Sequence, residues 1–204
     1  MRVTRAEAKE RNRRALLDAA RRIVARDGHR ARLDEITEQA GLTTGAVYSL
    51  FGSKNGLLAA LVTDHIGRHY DRIEQAVPAG LGLQDAVEAV ARHYRRIVED
   101  PDALRHLSFE ISLQDTALRD PDLQARLAAS VREHQERLTR LFTGRTHHGT
   151  ALTRPQAQRL ATALRALLVG LVQGVVLGLA EQASEQYVAA TARALTTPEV
   201  LGPP

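Results

Sequence analysis

Apolar residues recur at steps of three and four along nearly the whole chain, and no stretch shows the strict alternation of a half-buried strand. Over residues 5–27 the stripe is Ala15, Leu16, Ala19, Ala20, Ile23 and Val24, and Gly28 stands where a left-handed C-cap is wanted. A short helix is predicted over residues 33–40, with Leu33, Ile36 and Ala40 on one face and Gly41 at its end. A third, over residues 43–50, opens on a hydroxyl residue suited to an N-cap. Ser53 suits the cap of a longer helix with the stripe Leu57, Leu58, Leu61, Val62, Ile66, Tyr70 and Ile73, closing near Pro78. Further helices are predicted at about 83–100, 103–117, 121–142, 154–180 and 185–196, separated by Pro101, Pro121, the polar stretch 143–150 and Pro198. The fold class is therefore all-α, with about nine helices, and the segment 144–150 carrying His147 and His148 is expected to be the mobile connection.

Composition narrows this picture. The core must be aliphatic, since only 3% of residues are aromatic and there is no Trp. Zero cysteine excludes disulfide scaffolds, thiol catalysis and cysteine-ligated zinc. The first residues are charged with no apolar stretch behind them, unlike a secretory signal. The longest nearly unbroken apolar run, 166–180 with Gln173 inside it, is short of the roughly 20 residues that span a bilayer. A soluble, cytoplasmic protein without a membrane partner is expected. Charge is uneven: residues 1–54 carry 12 basic and 7 acidic side chains, the remainder 16 and 17. The whole positive excess lies at the N-terminal end, where Arg2, Arg5, Lys9, Arg11, Arg13 and Arg14 form a basic lead-in. That is either an arm touching DNA or a solvated helix face.

The span 33–51 has the layout of a helix-turn-helix: a bracing helix, a tight turn at Gly41, and a second helix whose N-terminal residues face a major groove. Thr43, Thr44, Gly45 and Ala46 present two hydroxyls, a bare backbone and a methyl, a small surface able to approach base edges, while Val47 and Leu50 anchor the helix. Tyr48 carries a hydroxyl on a rigid ring, and Lys54 a point charge beside free amides at a helix start, both suited to phosphate.

The run Leu42-Thr43-Thr44-Gly45-Ala46-Val47-Tyr48-Ser49-Leu50-Phe51-Gly52-Ser53-Lys54 closely resembles the signature of TetR-family transcriptional regulators, extending upstream through Asp34-Glu35-Ile36 and downstream into Leu57-Leu58. The resemblance implies that Tyr48 and Lys54 hold phosphates and that Thr43, Thr44 and Ala46 face bases or their flanking phosphates. Arg32 departs from the pattern, standing where members often have a capping Ser or Thr; either Asp34 helps from inside the turn or Arg32 contacts phosphate. The expected division is a DNA-binding domain at 1–52 and a ligand-binding and dimerisation domain at 53–204.

Residues 154–180 are apolar nearly all round, so the helix must be covered on two sides. Gly170, Gly174 and Gly178, spaced by four, would allow a close backbone approach. Leu167, Gly170, Leu171, Gly174, Val175 and Gly178 are the expected dimer interface; tight packing within the chain is the other reading. The resemblance implies a bundle made by the last two helices and their copies. Polar residues on apolar faces, His65, His69, Tyr94, Phe109-Glu110, Gln114, His134 and Gln173, are the candidates for lining an effector pocket. His65 and His69 also have chelating i, i+4 spacing but lack a third partner, so no metal is expected. There is no Glu-x-x-His pair, phosphate loop or nucleophile elbow, which argues against an enzyme, and no cofactor is implied. The expected function is a homodimeric repressor, bound to double-stranded DNA at a palindrome and released by a small molecule. A helical DNA-binding or protein-protein adaptor without ligand control is the alternative.

Overall fold

The computed structural model describes residues 4–27 and 30–203, and within them not the side chains of His65, Ile66 and His69. Its helices are α1 (Arg5–Asp27), α2 (Leu33–Gln39), α3 (Thr44–Phe51), α4 (Lys54–Ala76), α5 (Leu83–Arg96), α6 (Ala103–Ala117), α7 (Pro121–Phe142), α8 (Arg154–Val176), α9 (Glu185–Arg193) and the single turn α10 (Pro198–Leu201). A 3-10 turn, Ile97–Glu99, extends α5. The cap predicted at Gly28 and the lead-in residue Arg2 lie outside the described residues. From Arg5 onward the lead-in is helix rather than arm, because Thr4 and Glu7 close a capping box: Thr4 N–H donates to the Glu7 carboxylate at 2.7 Å and Glu7 N–H to the Thr4 hydroxyl at 3.2 Å. Those bonds from Thr4 hold the Glu7 carboxyl below its ordinary value.

The chain packs as two units, residues 1–65 with 104–129 and residues 66–103 with 130–204. This division falls beyond the expected boundary at 52/53, because the start of α4 and all but the first residue of α6 belong to the first unit. In that unit α1 buries Leu16, Leu17, Ala19, Ala20, Ile23 and Val24, and Ile36, Val47, Leu57 and Phe109 are among the other buried members of its apolar core. Arg21 of α1 reaches Asp64 of α4 at 2.9 Å, and Arg105 of α6 donates to the Ala25 carbonyl at 3.3 Å. Arg26 joins Asp27 and Glu35, fastening the end of α1 to α2.

The second unit is built around Ile73, Leu83, Val87, Val90, Phe142, Leu160 and Leu164, all fully buried, with α9 packed along α5. Two expectations fail here. The segment predicted to be mobile is a hairpin, β1 (Thr146–His147) paired antiparallel with β2 (Thr150–Ala151), turned through His148 and Gly149 at φ 46° and 81°. Two positive φ values in a row are what a two-residue hairpin turn needs. The buried Arg145 ties this hairpin down, donating to the carbonyls of Leu141 (2.7 Å), Pro78 (3.0 Å) and Leu81 (2.8 Å). The long apolar helix also stops early: α8 ends at Val176, and Gly178 sits beyond it at φ 72°, so only Gly170 and Gly174 share a helical stripe.

One face of α8 buries Ala157, Leu160, Ala161, Leu164 and Leu168. By length and composition α8 could also cross a membrane, and only 22% of its apolar window is buried within the chain. The run counted from Ala166 understated this, because Arg165 is the sole charge between Ala161 and Val176.

Candidate nucleic-acid interface

Local chemistry explains why residues 33–54 fold as two short helices in a fixed mutual orientation. The turn after α2 closes with Gly41 N–H on the Glu38 carbonyl (3.0 Å) and Leu42 N–H on the Thr37 carbonyl (2.9 Å), with Gly41 at φ 65°. Thr37, buried, donates its hydroxyl to the Asp34 carbonyl at 2.9 Å. Arg32 is the N-cap residue of α2 and makes no side-chain cap; its guanidinium lies 3.5 Å from Asp34, and both side chains are largely exposed. At the start of α3 the Thr43 carbonyl accepts from Ala46 N–H (2.9 Å), but its hydroxyl makes no capping bond.

The other end of α3 is fixed firmly. Val47 and Phe51 are buried, so Phe51, not the half-buried Leu50, is the second anchor beside Val47. Arg13 of α1 places its guanidinium 5.9 Å from the centre of the Phe51 ring, which draws one cation of the basic lead-in towards the fold. Arg14 is engaged by Glu10 at 2.9 Å, whereas Arg5, Lys9 and Arg11 stand exposed. Gly52, at φ 79°, ends the helix, and the Ser53 hydroxyl caps α4 by accepting from Gly56 N–H at 2.9 Å. A Cβ on Gly56 would stand 2.1 Å from the Phe51 carbonyl oxygen, so only glycine permits this close return of the chain.

With these anchors in place, Thr43, Gly45, Tyr48 and Lys54 are exposed and Thr44 and Ala46 half-exposed along one short stretch. The Tyr48 ring is 56% exposed, which leaves its hydroxyl outside the core. The geometry therefore assembles small groups, a phenol and a cation on a rigid platform, the chemistry of a groove-reading surface.

A family model described as bacterial regulatory proteins of the tetR family matches residues 16–61, the stretch that contains this platform. Over that stretch the chain is similar to the tetR family of bacterial regulatory proteins. That family consists of regulators, not enzymes. A fatty acid metabolism regulator protein of Bacillus subtilis (strain 168) is 24% identical over 106 residues, 51% of this chain, and the match spans 55%, about half, of that relative's length. A putative transcriptional regulator from Rhodococcus sp. RHA1 shares the fold with a TM-score of 0.64 at 21% identity, over 93% of this chain and 97% of that one. FadR from Bacillus subtilis, solved in complex with stearoyl-CoA, has a TM-score of 0.60 at 17% identity, over 89% and 96% of the two chains. The all-α architecture of this chain is thus that of its structural neighbours.

Among the described residues, those suggested for an effector pocket fall in both units of the chain. Phe109 and Glu110 of α6 line a small pocket in the first unit, together with Arg21, Val24, Leu61, Val62 and His106. Gln114 on the same helix is exposed, because Leu113 and Ala117 take the buried positions. In the second unit Tyr94 donates its hydroxyl to that of Tyr70 at 3.0 Å, and the His134 ring lies 4.9 Å from the Tyr70 ring. His134 is buried, with its Nδ1 2.5 Å from the Ser130 carbonyl oxygen, and burial lowers its pKa. Gln173 is half-buried on α8, and the side chains of His65 and His69 lie outside the described residues. A separate groove of about 590 Å³ runs past the end of α8, lined by Leu171, Gly178, Leu179, Glu181 and Tyr187 among others. Among the described residues no group of three or more His, Asp or Glu is placed to hold a metal.

Proposed function

We propose that this chain is a homodimeric, cytoplasmic transcriptional repressor that binds a palindromic operator through α3 and is released by a small molecule. The observation that carries the DNA reading is the surface around α3, held out by the buried Val47 and Phe51, on which Thr43, Tyr48 and Lys54 are exposed and Thr44 half-exposed. In this reading Thr43, Thr44, Gly45 and Ala46 approach base edges and their flanking phosphates, and Tyr48, Lys54 and Arg32 hold phosphates. The functional head is the three-helix segment 1–52, and residues 53–204 hold the effector and the second copy.

Dimerisation is supported by the apolar side of α8 that the chain itself leaves open: Val169 is 36% exposed, and a Cβ on Gly170 would meet nothing within 4 Å. Leu167, Leu171 and Val175, only partly buried against the core, extend that side, and Gly174, proposed with them, is approached within the chain by Ala180, 3.1 Å from where a Cβ would stand. The effector to test first is a long-chain acyl-CoA, since the curated relative is a fatty acid metabolism regulator and FadR was solved with stearoyl-CoA.

The deciding experiment selects the preferred DNA of the full-length chain from a random pool at stated salt. Tyr48→Phe and Lys54→Ala are expected to weaken binding to all sequences about tenfold, with the salt slope lowered by about one in Lys54→Ala and unchanged in Tyr48→Phe, whereas Thr44→Ala shifts sequence preference. If both phosphate-site variants bind the selected DNA like the parent, α3 does not dock in this way. Stearoyl-CoA is then added to the complex: release supports the repressor reading, and DNA affinity indifferent to it and to a wider metabolite screen favours the adaptor.

A further inference from the structure

The pocket in the first unit brings three titratable side chains into apolar surroundings. Its walls are Val24 of α1, Leu61 and Val62 of α4 and Phe109 of α6, and its polar lining is Arg21 of α1 with His106 and Glu110 of α6. The enclosed space is about 20 Å³, room for one water and too little for an organic effector.

Arg21 is shared between elements. It donates to Asp18 on its own helix at 2.8 Å and to Asp64 of α4 at 2.9 Å, while its Nε is buried without an acceptor among the described residues. Among those residues no hydrogen bond or ion pair reaches the Glu110 carboxyl, although Glu110 and Arg21 line the same pocket. A neutral carboxyl tolerates such a place; a carboxylate requires a cation, and Arg21 is the one that lines the pocket.

We propose that Glu110 is a proton-controlled latch: neutral, it packs against α1 and α4; ionised, it draws the Arg21 guanidinium away from Asp64 and loosens the α1–α4 junction. Burial moves the Glu110 carboxyl from its ordinary 4.5 to about 7, so the change falls within the range of cytoplasmic pH. The charged and titratable groups facing it are Arg21 from α1, Asp64 from α4 through Arg21, and His106 one turn earlier on α6. Because α1 also packs on α2 and α3, a loosened α1 is felt by the DNA-reading helix, and the latch makes operator affinity decline as pH rises.

The sign is fixed by linkage. A carboxyl raised above 4.5 in the folded chain contributes stability that is complete below 4.5 and is lost as pH rises through about 7. Thermal unfolding of the full-length chain from about pH 5 to about pH 8.5 is therefore expected to show parent and Glu110→Gln coinciding at the acid end, with the parent lower by about 5 °C at the alkaline end. Asp64→Asn, which leaves Arg21 shared between Asp18 and Glu110, should lower the Glu110 midpoint by about one pH unit. Carbon-13 carboxyl titration of the parent and of Asp64→Asn reads that midpoint directly, whether or not Glu110→Gln folds. Parallel melting curves, or no Glu carboxyl titrating near neutrality, overturn the proton site; a midpoint that Asp64→Asn leaves in place overturns the exchange at Arg21.

Only the last measurement rests on the DNA reading above. Affinity for the selected DNA should fall about fivefold from about pH 6 to about pH 8 in the parent and stay level in Glu110→Gln. Equal pH profiles in the two would overturn the regulatory role even with the proton site intact.

Discussion

Gly56 shows how one absent side chain shapes the DNA-reading platform. It stands in the first turn of α4, a place where glycine usually weakens a helix, yet a Cβ there would collide with the Phe51 carbonyl oxygen at 2.1 Å. That oxygen belongs to the residue whose ring anchors α3, so the collision can be relieved only by moving backbone. Gly56→Ala is expected to lower stability by at least about 2 kcal/mol and, by shifting α3, to weaken operator binding as well; a thermal melt with a DNA titration on the same sample checks both. An unchanged melting temperature would mean that the α3–α4 return has slack. Periodicity could not point to Gly56, since the close approach joins two elements and leaves no mark on the stripe of either. The same limit explains Phe51: Leu50 and Phe51, three and four residues from Val47, both fit its face, and the choice of Phe51 depends on α1, whose Arg13 covers its ring.

Among the elements, amphipathic periodicity located α1, α6 and α7 to the residue, because each has an aliphatic stripe with clear punctuation at its ends. It missed the hairpin, whose strands of two residues are too short for any alternation to register. What makes this segment rigid is a single long-range side chain. Arg145 is buried, desolvation lowers its pKa, and three backbone carbonyls receive its donors. Arg145→Met keeps the aliphatic stem and removes the donors, leaving the carbonyls of Pro78 and Leu81 without this partner, at a cost of about 2–3 kcal/mol. Hydrogen exchange should localise the loss to the Leu152 amide, which donates to the Arg145 carbonyl at 2.9 Å, and to the Gly144 amide, which donates to the Leu152 carbonyl at 2.8 Å. Uniform loss of protection along α5 and α8 as well would show that the hairpin is instead part of one cooperative core. The end of α8 was obscured for a related reason: Leu177, Gly178 and Leu179 continue the apolar composition, while the positive φ at Gly178 breaks the helix.

For the whole molecule, the uneven charge of the sequence and the open side of α8 bear on one question, whether one copy suffices to bind DNA. The excess of basic residues in 1–54 is modest, and Arg13, Arg14, Arg21 and Arg26 are each committed to contacts within the fold. A single head therefore has few cations to offer phosphates, and two heads on one site double both the charge and the base contacts. Val169→Arg tests this cleanly, because Val169 is exposed in the single chain and the substitution should not disturb its core. Sedimentation should show the parent as a dimer and the variant as a monomer of unchanged helical content, whose melting temperature no longer rises with protein concentration. Operator affinity should then fall at least about a hundredfold, with the salt slope close to half that of the parent, since the number of phosphates neutralised sets that slope. A monomer with full affinity and an undiminished slope would place the specificity within one head and remove the need for a palindrome. A variant that remains dimeric would move the interface from this side of α8 to the groove beside Leu179 and Tyr187, where 80% and 55% of those side chains lie open.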